Sequence, residues 1–512
     1  MSESFDAVVV GSGPNGLVAA NLLADRGWSV VVLEEQPEPG GAVKSAEMME
    51  PGFVNDMFSA FYPLAMISPA IRSLELERYG LRWCHAPAVL AHPTLDGTCA
   101  LLSRDIDETA ASLDRSHRGD GDTWRAMFDR WATLKPRVVD ALFGPFPPFR
   151  AGARLAWAVR HELLDALRLP LLSVRELGDE AFGGDAARRL LAGAALHADL
   201  TLDSPLGAVY GLLLCLTGQD GGYPVPQGGA GRLVDALTQR LRAKGATLRV
   251  GTRVDRVLVR DGRVYAVRTS TGEELLARTV LADVDVVALY ERLVDGVSPS
   301  LRVRRAVKRF RRDPATVKVD WNLDAPIPWG SPEARRAGTV HVAEGLGALD
   351  AFTGDLAAGR LPRHPFLLVG QQSMADPTRM PSGCETVWAY THVPSSTVFD
   401  SREVLEEFAD RMQGEIEALA PGFGSLVRGR HVMGPLDLEA RDANLVGGGI
   451  GGGSAVISQQ LLFKPTVFGG AATTIGGLYL ASASAHPGPG VHGVCGANAA
   501  RLAVRSAKLR RR

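Results

Sequence analysis

The chain begins with two unbroken apolar runs on either side of a glycine-rich turn. Residues 7–10 (AVVV) contain no polar position, which is typical of a strand buried on both faces. Residues 17–25 then follow the pattern of an amphipathic helix, and Gly27 gives that helix a stop signal. A second valine run, in WSVVVLEE from Trp28, predicts another strand. The pattern therefore predicts a compact strand–helix–strand unit.

The turn in this unit has the GxGxxG spacing of a dinucleotide-binding motif. Its glycines permit a tight turn, a close approach of backbone to a pyrophosphate, and close helix–strand packing. Glu34, at the end of the second strand, is placed to accept hydrogen bonds from a ribose and would repel a 2′-phosphate. Glu35 beside it is the more solvated of the two acids. The residues predicted to bind an adenine dinucleotide such as FAD or NAD are Gly11, Ser12, Gly13, Pro14, Asn15, Gly16, Glu34 and Glu35.

A second glycine pair follows the ribose acid closely, and it helps to choose between the two dinucleotides. Gly40 and Gly41 allow the backbone to approach a ligand without an intervening side chain. A nicotinamide dehydrogenase has no need for such a pair at this point. The spacing resembles that of the flavoprotein superfamily that includes amine oxidases and carotenoid desaturases, in which the pair lies along the FAD. An ordinary loop with two turn glycines is the alternative interpretation.

Two distant segments carry further patterns of the same kind. The first, in the middle of the chain, predicts a glycine-rich turn, a helix from about Arg232, a short strand and a hairpin at Asp261-Gly262. The second, near the C-terminus, predicts a strand over 478–481, a loop rich in glycine and an alanine-rich helix. Amide groups at the start of that helix would stabilise an anionic reduced flavin.

Together the three segments resemble the FAD-binding elements of the phytoene desaturase-like family of FAD-dependent oxidoreductases. This family includes bacterial carotenoid desaturases, prolycopene isomerase, retinol saturase and the pyridine nucleotide-disulfide oxidoreductase domain-containing protein 2 group. Sequences such as PGFVNDMFSAFYPL, NLVGGGIGGG and HPGPGVHG look like those of the last group. The resemblance implies that FAD is the cofactor. It adds as cofactor-binding residues the pair Gly40 and Gly41, the following Ala42 and Val43, Val254 at the adenine, and Gly488, Gly490 and Val491 near the flavin.

The chain departs from its relatives in three ways. Amine oxidases usually carry an acid in the C-terminal flavin motif, where this chain reads ASASAHPG, and this argues against the amine oxidase branch. Many superfamily members carry arginine directly after the glycine pair, but this chain has Ala42, so a charge contact to the flavin or its phosphates is missing. There is also no C-x-x-C motif, so reduction of a disulfide has no dithiol to act with. The name of the last group is therefore no guide to its chemistry.

The predicted fold is α/β, with a Rossmann-type FAD-binding domain assembled from discontinuous segments. Residues 1–60, 220–290 and 435–512 are expected to form this domain. Residues 61–219 and 291–434 are expected to form an α+β substrate-binding domain of mixed sheet and helices. The first of these two inserts shows mainly helical patterns, whereas the second alternates in the manner of strands.

Composition narrows the class of protein. An apolar content of 46% and a charged content of 22% are ordinary for a globular enzyme with a large core. A formal net charge of -1 gives no support for nucleic-acid binding. Five scattered cysteines suggest reduced thiols and neither a disulfide framework nor a metal site. With no signal-peptide pattern at the start and no apolar run long enough to span a bilayer, we expect a cytoplasmic protein.

One segment offers an alternative to a purely cytoplasmic location. Residues 141–174 mix aromatic, proline, leucine and arginine residues. An arginine-rich amphipathic stretch of this kind can lie on anionic headgroups, which would make the protein peripheral to a membrane. A helical lid packed on its own domain is the competing and favoured interpretation.

The predicted reaction is the transfer of hydride from a C–H (or C–N) bond of an apolar or partly apolar small molecule to the N5 atom of the flavin. Electrons would leave to oxygen, a quinone or another diffusible acceptor. Two alternatives stay open, namely a redox-neutral isomerase or saturase that uses reduced flavin on a polyene, and a flavin-bearing binding protein with little turnover. The candidate catalytic residues are His486, Tyr62 and His492, while His197 and Asp199 are candidates to face the cavity.

Overall fold

Three large β-sheets form the framework of the molecule. The structure is a computed structural model, and it describes residues 3–395, 397, 399–460, 464–465 and 470–510. Two sheets of five strands build one half of the described chain, and a sheet of seven strands builds the other half. The functional site lies where these halves meet.

The first sheet is the nucleotide sheet, in which all five strands run parallel. Its strands come from the three segments that were predicted to form the FAD-binding domain. This arrangement confirms the predicted Rossmann-type α/β fold, while the exact domain boundaries stay a prediction. In spatial order the strands are Thr247–Arg249, Val30–Leu33, Ala7–Val10, Val280–Ala282 and Leu478–Leu480.

The unbroken valine runs of the nucleotide sheet are explained by burial on both faces. Val9 and Val32 pack against the helices on one face. Val8 and Val31 point to the opposite face, where a second sheet covers them. Every residue of the two strands is buried, so neither strand needs a polar position. The covering helices are Pro14–Ala24, Gly231–Ala243 and Val494–Arg510.

The second sheet contains the predicted hairpin. Asp261 and Gly262 both have positive φ angles, of 52° and 71°, as the two central residues of a type I′ turn require. The hairpin strands pair in antiparallel fashion, which confirms the prediction. In spatial order the strands of this sheet are Ser4–Phe5, Glu274–Ala277, Arg263–Thr269, Val254–Arg260 and Val294–Asp295.

The third sheet, called here the cavity sheet, has seven strands and is mixed. Helix Arg402–Leu419 packs on one face, and the helices of the first insert pack on the other. Double coverage explains why strand Ala315–Leu323 is buried at every position, although its sequence alternates. In spatial order the strands are Val427–Met433, Ala315–Leu323, Glu385–Val393, Leu367–Gln371, Ala337–Val342, Ala88–Pro93 and Cys99–Leu102.

The last two of these strands correct the expectation that the first insert is essentially helical. Ala88–Pro93 and Cys99–Leu102 are short apolar runs, and such runs do not distinguish a strand from a buried helical turn by periodicity. The remaining helices of the insert follow the predicted pattern. They are Pro63–Ile67, Pro69–Arg72, Ile106–Asp114, Asp120–Phe143, Phe149–Ala158, Leu163–Arg168, Val174–Ala181, Asp185–Leu196 and Gly207–Gly221.

Shorter elements complete the described chain. Two small antiparallel pairs lie between the halves, one formed by Ser45–Ala46 with Asn55–Asp56 and the other by Trp83–Cys84 with Val225–Pro226. Further helices surround the sheets: Val286–Ala288, Leu301–Arg309, Leu346–Ala357, Gln372–Ala375, Pro435–Arg441 and Ile457–Gln460.

A buried ionic network ties the two halves together. The carboxylate of Asp56 accepts a hydrogen bond from the Arg379 guanidinium over 2.6 Å, and both side chains are fully buried. The other Asp56 oxygen accepts hydrogen bonds from the Ser45 hydroxyl and the Ala230 amide, at 2.6 and 2.8 Å. Arg379 also pairs with Asp376. One carboxylate thus joins parts of the chain that lie far apart in sequence.

Candidate active site

A cavity of about 350 Å³ connects the nucleotide sheet with the cavity sheet. Its wall combines a glycine-rich turn, aromatic side chains and a few buried ionisable groups. The nucleotide side contributes Gly13, Pro14, Asn15, Ala42, Val43, Asp283, Asp285, Ser482, Ala483, Ser484, Pro489, Gly490 and Val491. The other side includes Phe58, Phe61, His197, Asp199, Tyr223, Thr316, Lys318, Leu368, Trp388 and Tyr390. A ligand in this cavity contacts both halves of the molecule.

The glycine-rich turn lies at the carboxyl end of strand Ala7–Val10, where ligands of open α/β sheets bind. A Cβ atom on Gly16 would overlap the carbonyl oxygen of Gly11 and lie 3.0 Å from Asp283 Oδ2. A Cβ atom on Gly41 would lie 3.1 Å from the Cα atom of Gly13, so the glycine pair packs directly on the turn. Gly16 of the GxGxxG motif and Gly41 of the glycine pair are therefore needed because backbone atoms pack too closely there for a side chain.

An unsatisfied polar atom marks the turn as a binding surface. The side-chain oxygen of Asn15 is buried, lines the cavity and has no hydrogen-bond partner among the described residues. Native proteins satisfy almost all such atoms, so an exception in a cavity indicates a missing ligand. The first turn of helix Pro14–Ala24 also carries a positive partial charge, and the backbone amide of Asn15 has no acceptor among the described residues. The side-chain oxygen of Asn15 fits a hydroxyl donor of a dinucleotide, whereas the amide and the partial charge fit its pyrophosphate.

Glu34 lies at the end of strand Val30–Leu33, as predicted, and is buried. One carboxylate oxygen accepts hydrogen bonds from the amide and hydroxyl groups of Ser12, at 2.9 and 2.6 Å. The other accepts from the Gln36 amide at 2.9 Å. These contacts fix the carboxylate beside the glycine-rich turn, where a ribose would reach it. Glu35, by contrast, is exposed.

Two acids near the turn were missed from the sequence. Asp283 follows strand Val280–Ala282, and its Oδ2 accepts a hydrogen bond from the Gly16 amide at 2.8 Å. Asp442 lies over Gly41, with Oδ2 3.2 Å from the position of a Gly41 Cβ. Burial raises the pKa of Asp283 to about 7 and that of Asp442 to about 6. A sequence signal existed only for Asp283, because it stands at the carboxyl end of a buried apolar run.

The loop predicted to lie at the flavin also borders the cavity. Gly490 has a φ angle of 109°, and with Pro489 and Val491 it forms part of the wall. Gly488 lies in the same loop beside Gln460. Helix Val494–Arg510 starts immediately afterwards and packs against the start of helix Pro14–Ala24. The predicted strand, glycine-rich loop and alanine-rich helix are therefore confirmed as structural elements.

Val254 stands at the start of a strand of the second sheet and is 6% exposed. Two residues earlier, the amide of Thr252 donates a hydrogen bond to the carbonyl oxygen of Glu34 over 2.7 Å. This bond holds the start of the strand beside the ribose acid. The position is compatible with the predicted contact to an adenine, which stays a prediction.

The three candidate catalytic residues lie outside the cavity wall. His486 stacks on Phe146 and approaches the carbonyl oxygen of Leu142 at 3.2 Å. His492 Nδ1 accepts a hydrogen bond from a neighbouring amide, and burial lowers the pKa of both histidines to about 4. The Tyr62 hydroxyl donates to the carbonyl oxygen of Ser59. These contacts are structural ones. A catalytic role for any of the three residues stays a prediction, because none of their side chains lines the cavity.

The other two candidates, His197 and Asp199, do line the cavity, as the sequence suggested. They follow helix Asp185–Leu196, which packs on the cavity sheet. Asp199 Oδ1 lies 2.8 Å from Nε2 of His392, a residue that was missed. No sequence signal could have paired them, because strand Glu385–Val393 brings His392 to this point from almost 200 residues away.

The glycine-rich sequence GGGIGGG forms another part of the wall. Ile450, Gly451, Gly452 and Gly453 line the cavity. The amides of Gly451 and Gly453 donate hydrogen bonds to the buried carboxylate of Asp313, at 2.5 and 2.9 Å. Gly447, Gly449 and Gly452 repeat the GxGxxG spacing of the nucleotide motif. They do not form a second nucleotide site in this part of the described chain, because no helix follows them directly. Among the described residues there is also no cluster of three or more His, Cys, Asp or Glu side chains suited to a metal ion.

The glycine-rich turn of the Rossmann-type sheet, with the ribose acid beside it, faces the cavity sheet across a shared cavity, which is the arrangement of an FAD-dependent oxidoreductase. A family model described as flavin containing amine oxidoreductase matches residues 15–316. The chain belongs to this family, and the predicted FAD cofactor is confirmed. The rat protein named pyridine nucleotide-disulfide oxidoreductase domain-containing protein 2 is 30% identical over 559 residues, covering 99% of this chain and 94% of the rat protein.

Other relatives support the same assignment. The neurosporene-forming phytoene desaturase of Cereibacter sphaeroides is 24% identical and covers 97% of this chain and 93% of its own length. Among solved structures, an oxidoreductase from Methanosarcina mazei gives a TM-score of 0.65 at 16% identity, covering 98% of this chain and 99% of that one. Cyclohexylamine oxidase from Brevibacterium oxydans gives 0.60 at 16% identity, covering 99% and 100%. The structural matches establish the fold alone.

Proposed function

We propose that this protein oxidises a C–H bond of an apolar or partly apolar small molecule, with bound FAD as the hydride acceptor. The observation that carries the proposal is one continuous cavity, which runs from the glycine-rich turn to an aromatic wall. FAD supplies the hydride-accepting chemistry when bound. The protein contributes binding, orientation and the exclusion of water.

Specific residues are proposed to hold the cofactor. Glu34 would bind the ribose, and the turn Gly13–Asn15 would hold the pyrophosphate with backbone amides. Gly40 and Gly41 would let the chain pass close to FAD, with Ala42 and Val43 following in the wall. Gly490 and Val491 would lie at the ring, and Val254 at the adenine. Because Ala42 replaces the arginine of many relatives, no cation from this position reaches the phosphates.

The aromatic part of the wall favours a substrate with an apolar body. Phe58, Phe61, Trp388 and Tyr390 line the cavity, and Trp388 stacks on Tyr390 with ring centroids 5.6 Å apart. Aromatic side chains of this kind gain most from burying apolar substrate surface. They also keep water away from the reacting carbon.

The direct test is anaerobic mixing of the FAD-loaded protein with candidate substrates. Loss of the yellow absorption of oxidised flavin, followed by its return when oxygen or a quinone is admitted, is the expected result. Product formed only after prior reduction of the flavin would instead indicate an isomerase or saturase. If no candidate substrate changes the absorption of the bound flavin, the result would favour a flavin-bearing binding protein with little turnover.

The acids near the turn predict that the affinity for FAD depends on pH. The pKa of Asp283 is raised to about 7 and that of Asp442 to about 6, so both are neutral in mild acid and ionise as the pH rises. Ionised carboxylates repel the pyrophosphate. Between pH 6 and 8 we therefore expect the dissociation constant of FAD to rise about tenfold, measured by quenching of FAD fluorescence.

The matched variants are Asp283→Asn and Asp235→Asn. Asp283→Asn should remove most of the rise in the dissociation constant of FAD with pH, because this variant has no carboxylate charge near the pyrophosphate at any pH. Asp235 lies exposed on helix Gly231–Ala243, so its replacement should leave the profile unchanged. A profile that is equally steep in Asp283→Asn would contradict the prediction.

Peripheral contact with a membrane forms a second part of the proposal. Helices Phe149–Ala158 and Leu163–Arg168 carry an apolar surface that the rest of the described chain leaves uncovered. Trp157 is 71% and Leu164 82% exposed, which weakens the interpretation of this segment as a packed lid. Arginines interleave with these side chains and suit anionic headgroups. None of the described helices combines the length with the apolar content that a bilayer span requires.

We expect the protein to float with vesicles that contain phosphatidylserine. The double variant Trp157→Glu and Leu164→Glu should reduce the bound fraction at least about tenfold, because two large apolar side chains no longer insert. Leu95→Glu is the control, since Leu95 is 61% exposed in a hairpin of the cavity sheet. Absence of the wild-type protein from the vesicle fraction would contradict the proposed membrane contact.

A further inference from the structure

One part of the cavity wall is ionic, although aromatic side chains surround it. Asp199 lines the cavity and pairs with His392, whose Nε2 atom lies 2.8 Å from Asp199 Oδ1. The two side chains are only 8% and 3% exposed. On its other side, His392 Nδ1 lies 3.3 Å from the hydroxyl of Thr316. The imidazole therefore lies between Thr316 and the carboxylate, and its Nε2 atom is within ion-pair distance of Asp199 without a hydrogen bond of good geometry.

The backbone at Asp199 is held in an uncommon conformation to make this pair. Its φ angle is 59°, in the left-handed region that few residues other than glycine adopt. The residue follows the last turn of helix Asp185–Leu196, and its amide donates to the carbonyl oxygen of Leu196 at 3.1 Å. Backbone strain of this kind tends to occur at functional sites. Here it turns the carboxylate toward the cavity.

Burial and the neighbouring charges act in opposite senses on the pair. Burial opposes a charged imidazole, but the carboxylates of Asp199 and Asp313 outweigh it, so the pKa of His392 is raised. His197, close to Asp199 in the chain, is different because burial lowers its pKa to about 3. It is neutral and already bonds to His341, with the two Nε2 atoms 2.8 Å apart. Burial also raises the pKa of Asp199, and a proton held between the two residues leaves the pair without net charge, whichever of them carries it.

A carboxylate oxygen of Asp199 is left for a ligand. Asp199 Oδ1 is buried and, although it lies 2.8 Å from His392 Nε2, it accepts no hydrogen bond of good geometry from any residue that the structure describes. A pure hydrocarbon in the cavity would cover this oxygen and leave it unsatisfied, at a considerable cost in free energy. A ligand that donates a hydrogen bond to it would avoid that cost. Because the ion pair has no net charge, a neutral donor suits it better than an ammonium group.

We propose that the substrate carries a hydroxyl group on the carbon that is oxidised, and that this hydroxyl donates its hydrogen bond to Asp199. The inference rests on the proposed function of the same cavity. In the reaction, the C–H electron pair leaves as hydride to FAD, and the hydroxyl proton passes to the Asp199 carboxylate. A carbon–oxygen double bond forms, so the alcohol is oxidised by two electrons and FAD is reduced by two. His392 is a positioning residue for Asp199.

The first experiment measures the binding of three probes that share one aromatic body. They are 2-naphthalenemethanol, its methyl ether and 2-naphthylmethylammonium, and binding is followed by tryptophan fluorescence and by the absorption of bound FAD. The wild type should bind the alcohol at least about tenfold more tightly than either of the others. Equal binding of alcohol and ether, weak binding of all three, or preference for the ammonium probe would overturn the proposal.

Substitutions of Asp199 test whether this residue causes the preference for the alcohol probe. Asp199→Ala should bind alcohol and ether within about twofold of one another, because the acceptor is gone. Asp203→Ala is the matched control, since Asp203 is exposed on the same segment and should leave the preference intact. A preference that survives in Asp199→Ala would also overturn the proposal. If Asp199→Ala does not fold, Asp199→Asn gives the same decision, with a clear fall in the preference expected.

His392 is tested by rescue. His392→Ala should lose most of the alcohol preference, whereas His392→Gln should retain more of it because an amide can still donate to Asp199. Equal loss in both variants would contradict a positioning role. The FAD content of every preparation separates the two proposals. A protein without FAD refutes the proposed function, while a protein that holds FAD but fails to discriminate between the probes refutes only this inference.

Discussion

Replacement of Gly16 by alanine is expected to yield a protein that retains less than about a tenth of its affinity for FAD. The added Cβ would overlap the carbonyl oxygen of Gly11 and lie 3.0 Å from the Asp283 carboxylate. Both neighbours are held by the nucleotide sheet, so the turn itself must shift. That shift moves the amides and Asn15 away from the pyrophosphate. Flavin content per chain and titration of the stripped protein with FAD measure the effect.

Gly414→Ala is a matched control for this variant. Gly414 is also a helical glycine, in Arg402–Leu419, but no neighbouring atom lies within 4 Å of the position that an added Cβ would take. The substitution should keep full flavin content and raise the free energy of unfolding by up to about 1 kcal/mol, because alanine favours helix. Normal FAD affinity in Gly16→Ala would show that the turn does not hold the cofactor as proposed.

The second large effect is expected for Asp56→Ala. This change leaves Arg379 as a fully buried charge whose remaining partners are Asp376 at 3.3 Å and the carbonyl oxygen of Pro226 at 3.1 Å. It also removes the acceptor for Ser45 and Ala230. Breaking a buried ion pair by removal of one partner costs about 3–5 kcal/mol. Urea denaturation should show a decrease of this size in the free energy of unfolding, together with loss of flavin.

The control for this prediction is Arg402→Ala. Arg402 pairs with Glu406 on the surface of helix Arg402–Leu419, and its side chain is 50% exposed. Surface pairs contribute at most about 1 kcal/mol, so the denaturation midpoint should change little. A similarly small change in Asp56→Ala would mean that the two halves are held together mainly by apolar contacts.

Much of the nucleotide-binding half could be predicted because its signals are local. The valine runs, the glycine turn and the acid Glu34 lie within one short segment, and each has a direct steric or electrostatic reason. The hairpin at Asp261-Gly262 was equally predictable, because few residue pairs suit a type I′ turn. The family resemblance extended this reading to FAD.

The substrate half was less predictable. The cavity sheet takes two strands from an insert that looked helical, and its longest strands are buried on both faces. The three candidate catalytic residues were chosen for their closeness to flavin motifs in sequence. In the structure, His486, His492 and Tyr62 make structural contacts away from the cavity wall. Closeness to a flavin motif in sequence did not place these three side chains in the cavity wall, and their catalytic role stays a prediction.

The sequence alone determined that this protein folds around a dinucleotide-binding unit, because tight turns and buried strands depend on neighbouring residues. Only the tertiary structure decided which ionisable groups share the cavity. Asp283 and Asp442 reach it from a strand and a loop distant in the chain, and His392 lies behind Asp199 in its wall. Their charge states depend on burial and on partners that three sheets bring together, and neither can be read from local sequence.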